Sequence, residues 1–137
     1  MRPGIKYRDG YKYQLTEDYY VQTDIITGQW INTEFIQLSP YGLLRGKIGY
    51  AWDGASAIAI DTPTIMRPSC GHDMKFQLMR QGHLGQDWRI VADREMRKEC
   101  IEDGMSRLRA WWVYWGLRGG GASSADPKNK KIIHTAP

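Results

Sequence analysis

Ser69-Cys70-Gly71-His72-Asp73-Met74-Lys75-Phe76-Gln77-Leu78-Met79-Arg80-Gln81-Gly82 is where the apolar pattern changes period, and that change decides the fold class. Cys70, Met74 and Leu78 recur every four residues, while His72 shares a second face with Phe76 and Met79. That spacing is helical. With apolar residues on two faces, the helix is expected to be covered on both sides. Ser69 is the expected N-cap and Gly82 the expected end. Pro63 and Pro68 punctuate the segment just before it, so residues 62–68 are expected to be irregular.

Two more helices follow. Asp87 is the expected cap of the second, which should stop at Gly104 in a left-handed conformation. Ser106 should cap the third, from Arg107 to about Leu117, with Gly119-Gly120-Gly121 ending it. Upstream the pattern is different. Tyr11 to Leu15, Tyr19 to Gln22 and Glu34 to Leu38 are rich in aromatic and β-branched residues. Leu43 to Trp52 adds one or two short strands, and turn signals at Asp9-Gly10, Thr27-Gly28, Ser39-Pro40 and Asp53-Gly54 bound these runs. Strands first and helices second make an α+β fold. The expectation is a small N-terminal antiparallel β-sheet, then three helices, in one domain over residues 1–120. Strands should fill about residues 7–55 and helices about 69–118, and residues 121–137 have the composition of an extended C-terminal arm.

At 137 residues the chain can bury a core without covalent staples. Six Trp and eight Tyr stand against two Phe, an excess of side chains that join apolar area to a polar handle. Cys70 and Cys100 both fall in apolar helix positions and should act as small hydrophobes. There is no CxxC or CxxH pair, so no structural zinc site is expected. A net charge of +4 comes without any recognition motif, so specific nucleic-acid binding is not expected. No run reaches the ~18 apolar residues of a membrane span. The first residues lack the apolar stretch of a signal peptide, so synthesis in the cytoplasm is expected.

The candidate chemistry is carried by His72-Asp73 and Ala92-Asp93. A histidine beside one carboxylate, with a second carboxylate on the next helix, can activate a water molecule. On a helical wheel Asp93 falls inside the apolar arc of the second helix, with Arg97 the only charge near it. A carboxylate facing a core costs several kcal/mol unless it is paired, so Asp93 must have a partner. His72, on a helix expected to pack antiparallel to it, is the best candidate. The same contact would equally serve as a polar clasp between helices, and the residues alone leave both readings open. His83 and His134 fall in a loop and in the tail and carry no assigned role. Trp111-Trp112-Val113-Tyr114-Trp115 is either a helix buried on several sides or a docking or membrane-surface face, and it lacks the cationic face that an interfacial helix carries along its whole length.

Four segments in order carry a resemblance: Trp52-Asp53-Gly54-Ala55-Ser56, His72-Asp73-x-x-Phe76, Ala92-Asp93-x-x-Met96 and Trp111-Trp112-x-Tyr114-x-x-Leu117. Together they resemble the bacteriophage-borne family called domain of unknown function 1353, over about residues 10 to 120. The chain departs from that pattern in the inserted Ala57-Ile58-Ala59-Ile60-Asp61 and in Phe76, where the family commonly has tyrosine. The resemblance implies phage origin, a virion location, and synthesis in the host cytoplasm. The partners implied under that reading are other phage structural proteins, met through the Trp/Tyr surface and the 121–137 arm, and the host envelope. A weaker likeness is to the helix pair of phospholipase A2-like folds. It implies His72 as general base, Asp93 as the group orienting it, and Asp73, joined by Asp53, as ligands of a divalent metal such as calcium. Two functions follow as expectations: a tail-associated virion or assembly component, or a phage hydrolase acting on a lipid or cell-wall substrate.

Overall fold

The computed structural model describes residues 5, 7–8, 13–53 and 63–125. The chain is α+β, and its described residues fall into two compact units, strands up to Asp53 and helices from Pro63 onward. The Asp9-Gly10 turn, Tyr11-Lys12 and the insertion at 57–61 lie outside the described residues, as do residues 126–137 of the arm.

The strand unit holds two small antiparallel sheets where the sequence predicts one. β1 (Tyr7–Arg8), β2 (Tyr13–Leu15) and β7 (Ala51–Trp52) form the first, in the order β1-β2-β7. β3 (Tyr19–Gln22), β4 (Ile31–Asn32), β5 (Ile36–Leu38) and β6 (Leu43–Gly46) form the second, in the order β3-β6-β5-β4. Register follows from alternation: Tyr19 and Val21 are buried while Tyr20 and Gln22 point outward, and Tyr19 pairs with Gly46. Asp18, just before β3, ties that strand to the end of β6. One of its oxygens accepts from Arg45 Nε at 3.0 Å and Nη2 at 2.6 Å, and the other accepts the Ile48 N–H at 2.8 Å. Those donors, the Ile48 N–H first, hold the Asp18 carboxyl below its usual range.

The helical unit contains α1 (Pro63–Arg80), a 3-10 turn over Gln86–Trp88, α2 (Arg89–Glu102) and α3 (Arg107–Ala125). α1 starts at Pro63, not at Ser69, and Pro68 lies inside it. Proline suits the first helical position because its missing N–H would have no partner there. Pro68 forfeits a single main-chain bond near that same end, and the buried face running from Ile65 outweighs the loss. Ser69 is buried within the helix, its hydroxyl donating to the Met66 carbonyl at 2.9 Å. Asp87 sits in the 3-10 turn, and α2 begins without a side-chain cap bond.

Helix ends were more legible. After α1, the N–H groups of Gly82 and His83 bond the carbonyls of Met79 and Leu78 at 3.1 and 2.8 Å. After α2, Gly104 and Met105 repeat the pattern on Ile101 and Cys100 at 3.0 and 2.9 Å. Both are Schellman ends, with Gly82 at φ 80° and Gly104 at φ 104°. Ser106 caps α3 by accepting the Arg109 N–H at 3.2 Å. α3 then runs through Gly119-Gly120-Gly121 to Ala125, so the first five residues of the expected arm are helical. Glycine weakens a helix but does not forbid one.

Ile65, Met96, Cys100, Met105, Ala110, Val113 and Leu117 close the core of this unit. Both cysteines are free and buried, and burial pushes the Cys100 thiol up to about 12, so it packs and does not react. A β-carbon on Gly104 would meet only Thr64 Cγ2 at 3.7 Å, an ordinary contact, so the left-handed backbone alone sets the cost of adding one. Gly104→Ala should therefore lower stability by about 1–2 kcal/mol in chemical denaturation, with the midpoint shifted and the slope unchanged.

Candidate functional site

α1, α2 and α3 meet at one carboxylate. Asp93 is completely buried, and its Oδ1 lies 2.7 Å from His72 Nε2. Its Oδ2 accepts from Arg118 Nη1 at 3.0 Å. The partner that the helical wheel demanded of Asp93 is therefore present twice, once from each neighbouring helix. The His72 ring packs on Phe76, centroids 4.1 Å apart, and the residue is buried. With Nε2 committed to Asp93, Nδ1 is the nitrogen left for any further proton transfer.

Arg118 was not legible in the sequence. Ending α3 at Leu117 places it beyond the helix, whereas the continued helix carries it one residue past the buried Leu117 and beside Asp93. Its signal was its spacing: it follows Tyr114 by four and Trp111 by seven. Arg97, the charge expected near Asp93, lies instead over the rings of Trp111 and Tyr114, at 5.1 and 5.6 Å. A cation–π contact there leaves the carboxylate to Arg118.

Around this centre α1 and α2 are joined by charges that the apolar pattern conceals. Arg67 Nε and Nη2 donate to the two oxygens of Asp103 at 2.9 and 3.0 Å, a bidentate pair. Arg67 Nη2 is also 3.5 Å from Glu102 Oε1. Lys75 is almost wholly enclosed, with its Nζ 3.0 Å from Glu95 Oε1. Those two atoms are close but not aligned for a hydrogen bond, so the attraction between them is coulombic. Glu99 is buried too, and its Oε1 has no hydrogen-bond donor among the described residues. Burial raises its carboxyl above the usual range, against the pull of Lys75 and Arg67.

The residues expected to hold a metal fall in different units. Asp73 lies on α1 with one oxygen 3.9 Å from Arg80 Nη2, while Asp53 follows β7 in the strand unit. Among the described residues no three His, Cys, Asp or Glu side chains gather as metal ligands. Calcium takes six to eight oxygens, and Asp73 beside a guanidinium offers a poor start on that set. The chemistry in hand is thus a His–Asp pair whose carboxylate is also neutralised by an arginine. It can hold a proton at His72, and it can equally bind three helices together.

No family model matches the chain, and no curated protein or solved structure gives a significant match. Among the described residues no helix is long and apolar enough to cross a membrane.

Two measurements probe the site. Asp93→Ala leaves His72 and Arg118 without their acceptor, and should cost about 3–5 kcal/mol of stability by denaturant titration. Glu99 is tested by pH. A carboxyl whose pKa is higher folded than unfolded binds more protons in the folded state between those two values, so stability falls as pH rises through that window. Glu99→Gln should melt above the wild type at neutral pH, with the difference vanishing in acid, where Glu99 is protonated in both states.

Proposed function

We propose that this chain is a bacteriophage virion component, associated with the tail, that works by presenting surface to partners and not by catalysis. The observation that supports it best is exposed aromatic area on both units. Trp30 and Tyr41 of the strand unit stand 63% and 80% exposed, and α3 holds Trp111, Trp112 and Trp115 in solvent. Trp, Tyr and Arg are the residues that dominate docking energetics, and contiguous exposure of them marks interaction surface. The phage setting comes from the resemblance carried by Trp52-Asp53-Gly54-Ala55-Ser56 and the three segments that follow it. Under this reading the Asp93 clasp is architectural: it fixes α1, α2 and α3 so that the aromatic faces are held rigidly.

A second reading, a hydrolase acting on lipid or cell-wall material, is favoured by one observation, the 2.7 Å contact between His72 Nε2 and Asp93. In it His72 is the general base, oriented by Asp93.

The readings separate by experiment. Mass spectrometry of gradient-purified particles should find the chain at a fixed copy number, and particles that lack it would remove the virion reading. Under the architectural reading His72→Ala should lower thermal stability, because it removes one of the two donors to the buried Asp93 carboxylate. If the folded wild type instead hydrolyses phospholipid or peptidoglycan and folded His72→Ala does not, the hydrolase reading takes its place.

A further inference from the structure

α3 is two-sided. Ala110, Val113 and Leu117 face the core, whereas Leu108, Trp111, Trp112 and Trp115 are 70%, 46%, 71% and 54% exposed. The spacing of three, four and seven residues puts these four on one face. Indole is the side chain suited to the boundary between water and hydrocarbon, because its ring is apolar and its N–H needs a polar partner.

Charge names the occupant. Every charged residue of α3 is arginine: Arg107, Arg109 and Arg118. On α2, Arg97 lies over the rings of Trp111 and Tyr114, and its neighbours Arg94 and Lys98 are exposed. The acids Glu95 and Glu99 of the same helix are buried, which leaves Glu102 as its exposed carboxylate. Arg118 is paired with Asp93, so the positive charge beside the aromatic face is carried by Arg97, in contact with two rings, with Arg94 one turn before it on α2 and Arg107 one turn before Trp111 on α3. A second copy of the chain would bring that charge against its own counterpart, and like charges oppose the pairing. Single-stranded nucleic acid would stack bases on the rings, but Arg97 already covers Trp111 and Tyr114, and Trp115 meets Trp111 edge-on at 5.7 Å. A surface of lipid phosphates over hydrocarbon satisfies both halves of the patch at once.

We propose that the Leu108, Trp111, Trp112 and Trp115 face of α3 docks on an anionic lipid surface, with the indoles entering the headgroup region and Arg97 and its cationic neighbours meeting phosphate. This deepens the docking reading above by naming the partner of one of its surfaces, and it rests on α3 being a docking face, not on phage origin.

Sedimentation of the full chain with vesicles tests it. Phosphatidylcholine vesicles containing phosphatidylglycerol should bind the chain about tenfold more strongly than phosphatidylcholine alone, and added salt should weaken that binding. Lipids brominated near the headgroup should quench tryptophan emission. Trp112→Ser alters the most exposed ring of this face, so it should keep the fold while lowering vesicle binding by about tenfold or more. Arg94→Glu should weaken binding to the anionic vesicles by a larger factor than binding to the neutral ones. Failure of the folded chain to bind vesicles overturns the inference, as does binding that Trp112→Ser leaves intact. Ultracentrifugation showing a dimer that Trp112→Ser abolishes, or oligonucleotide binding without vesicle binding, would assign the face to those occupants instead. Vesicle binding by a chain missing from purified particles would remove the virion reading and leave this one standing.

Discussion

The helical unit depends on the Asp93 carboxylate. Removed wholly from water, it would be intolerable alone, and it is compensated by a histidine from α1 and an arginine from α3. One side chain on the middle helix thereby fixes the rotation of all three. Apolar packing is permissive about such rotation, since neighbouring aliphatic residues substitute for one another at small cost. A two-oxygen acceptor with two directional donors is not. The same pairing favours carrying α3 past Leu117, to the residue that supplies the second donor.

Charge continues to set the register between α1 and α2. Arg67 meets Asp103 near one end and Lys75 meets Glu95 further along, so numbers rise on one helix as they fall on the other, as an antiparallel pair requires. Pairs of this kind gain little over a well-packed apolar contact, but breaking one is expensive, because the surviving charge stays buried. They therefore act more on which packing forms than on how stable it is. Glu99 is only partly compensated, by Lys75 and Arg67, and burial keeps its carboxyl above the usual range. With the interior holding its positions through ion pairs, α3 needs to bury only one side, and its tryptophans are left for the surface.

How much of this could be read from the sequence varied by element. The α+β class, the His72–Asp93 contact, the two glycine helix ends and the Ser106 cap were all legible, because each depends on residues close in sequence or on one helical wheel. The start of α1 was not. Pro63 and Pro68 read locally as breakers, and only the buried surface from Ile65 onward makes a helix through them worthwhile. The two-sheet division was hidden by the same limit, since β2 pairs with β7 across residues that hold the entire second sheet.

Sequence alone determined the class of the fold, the two apolar faces of α1 and the fact that Asp93 needs a partner. Periodicity and the cost of burying a charge are local properties, and they are visible without coordinates. Tertiary structure decided which groups answer that need, and it moved Arg97 from the carboxylate to the aromatic face. It also settled which side of the tryptophan-rich helix is left in water. Those outcomes turn on competition among several donors and surfaces for the same few positions. Such a competition is resolved only when all three helices are in place, because each partner contributes its energy at contact distance and nowhere else.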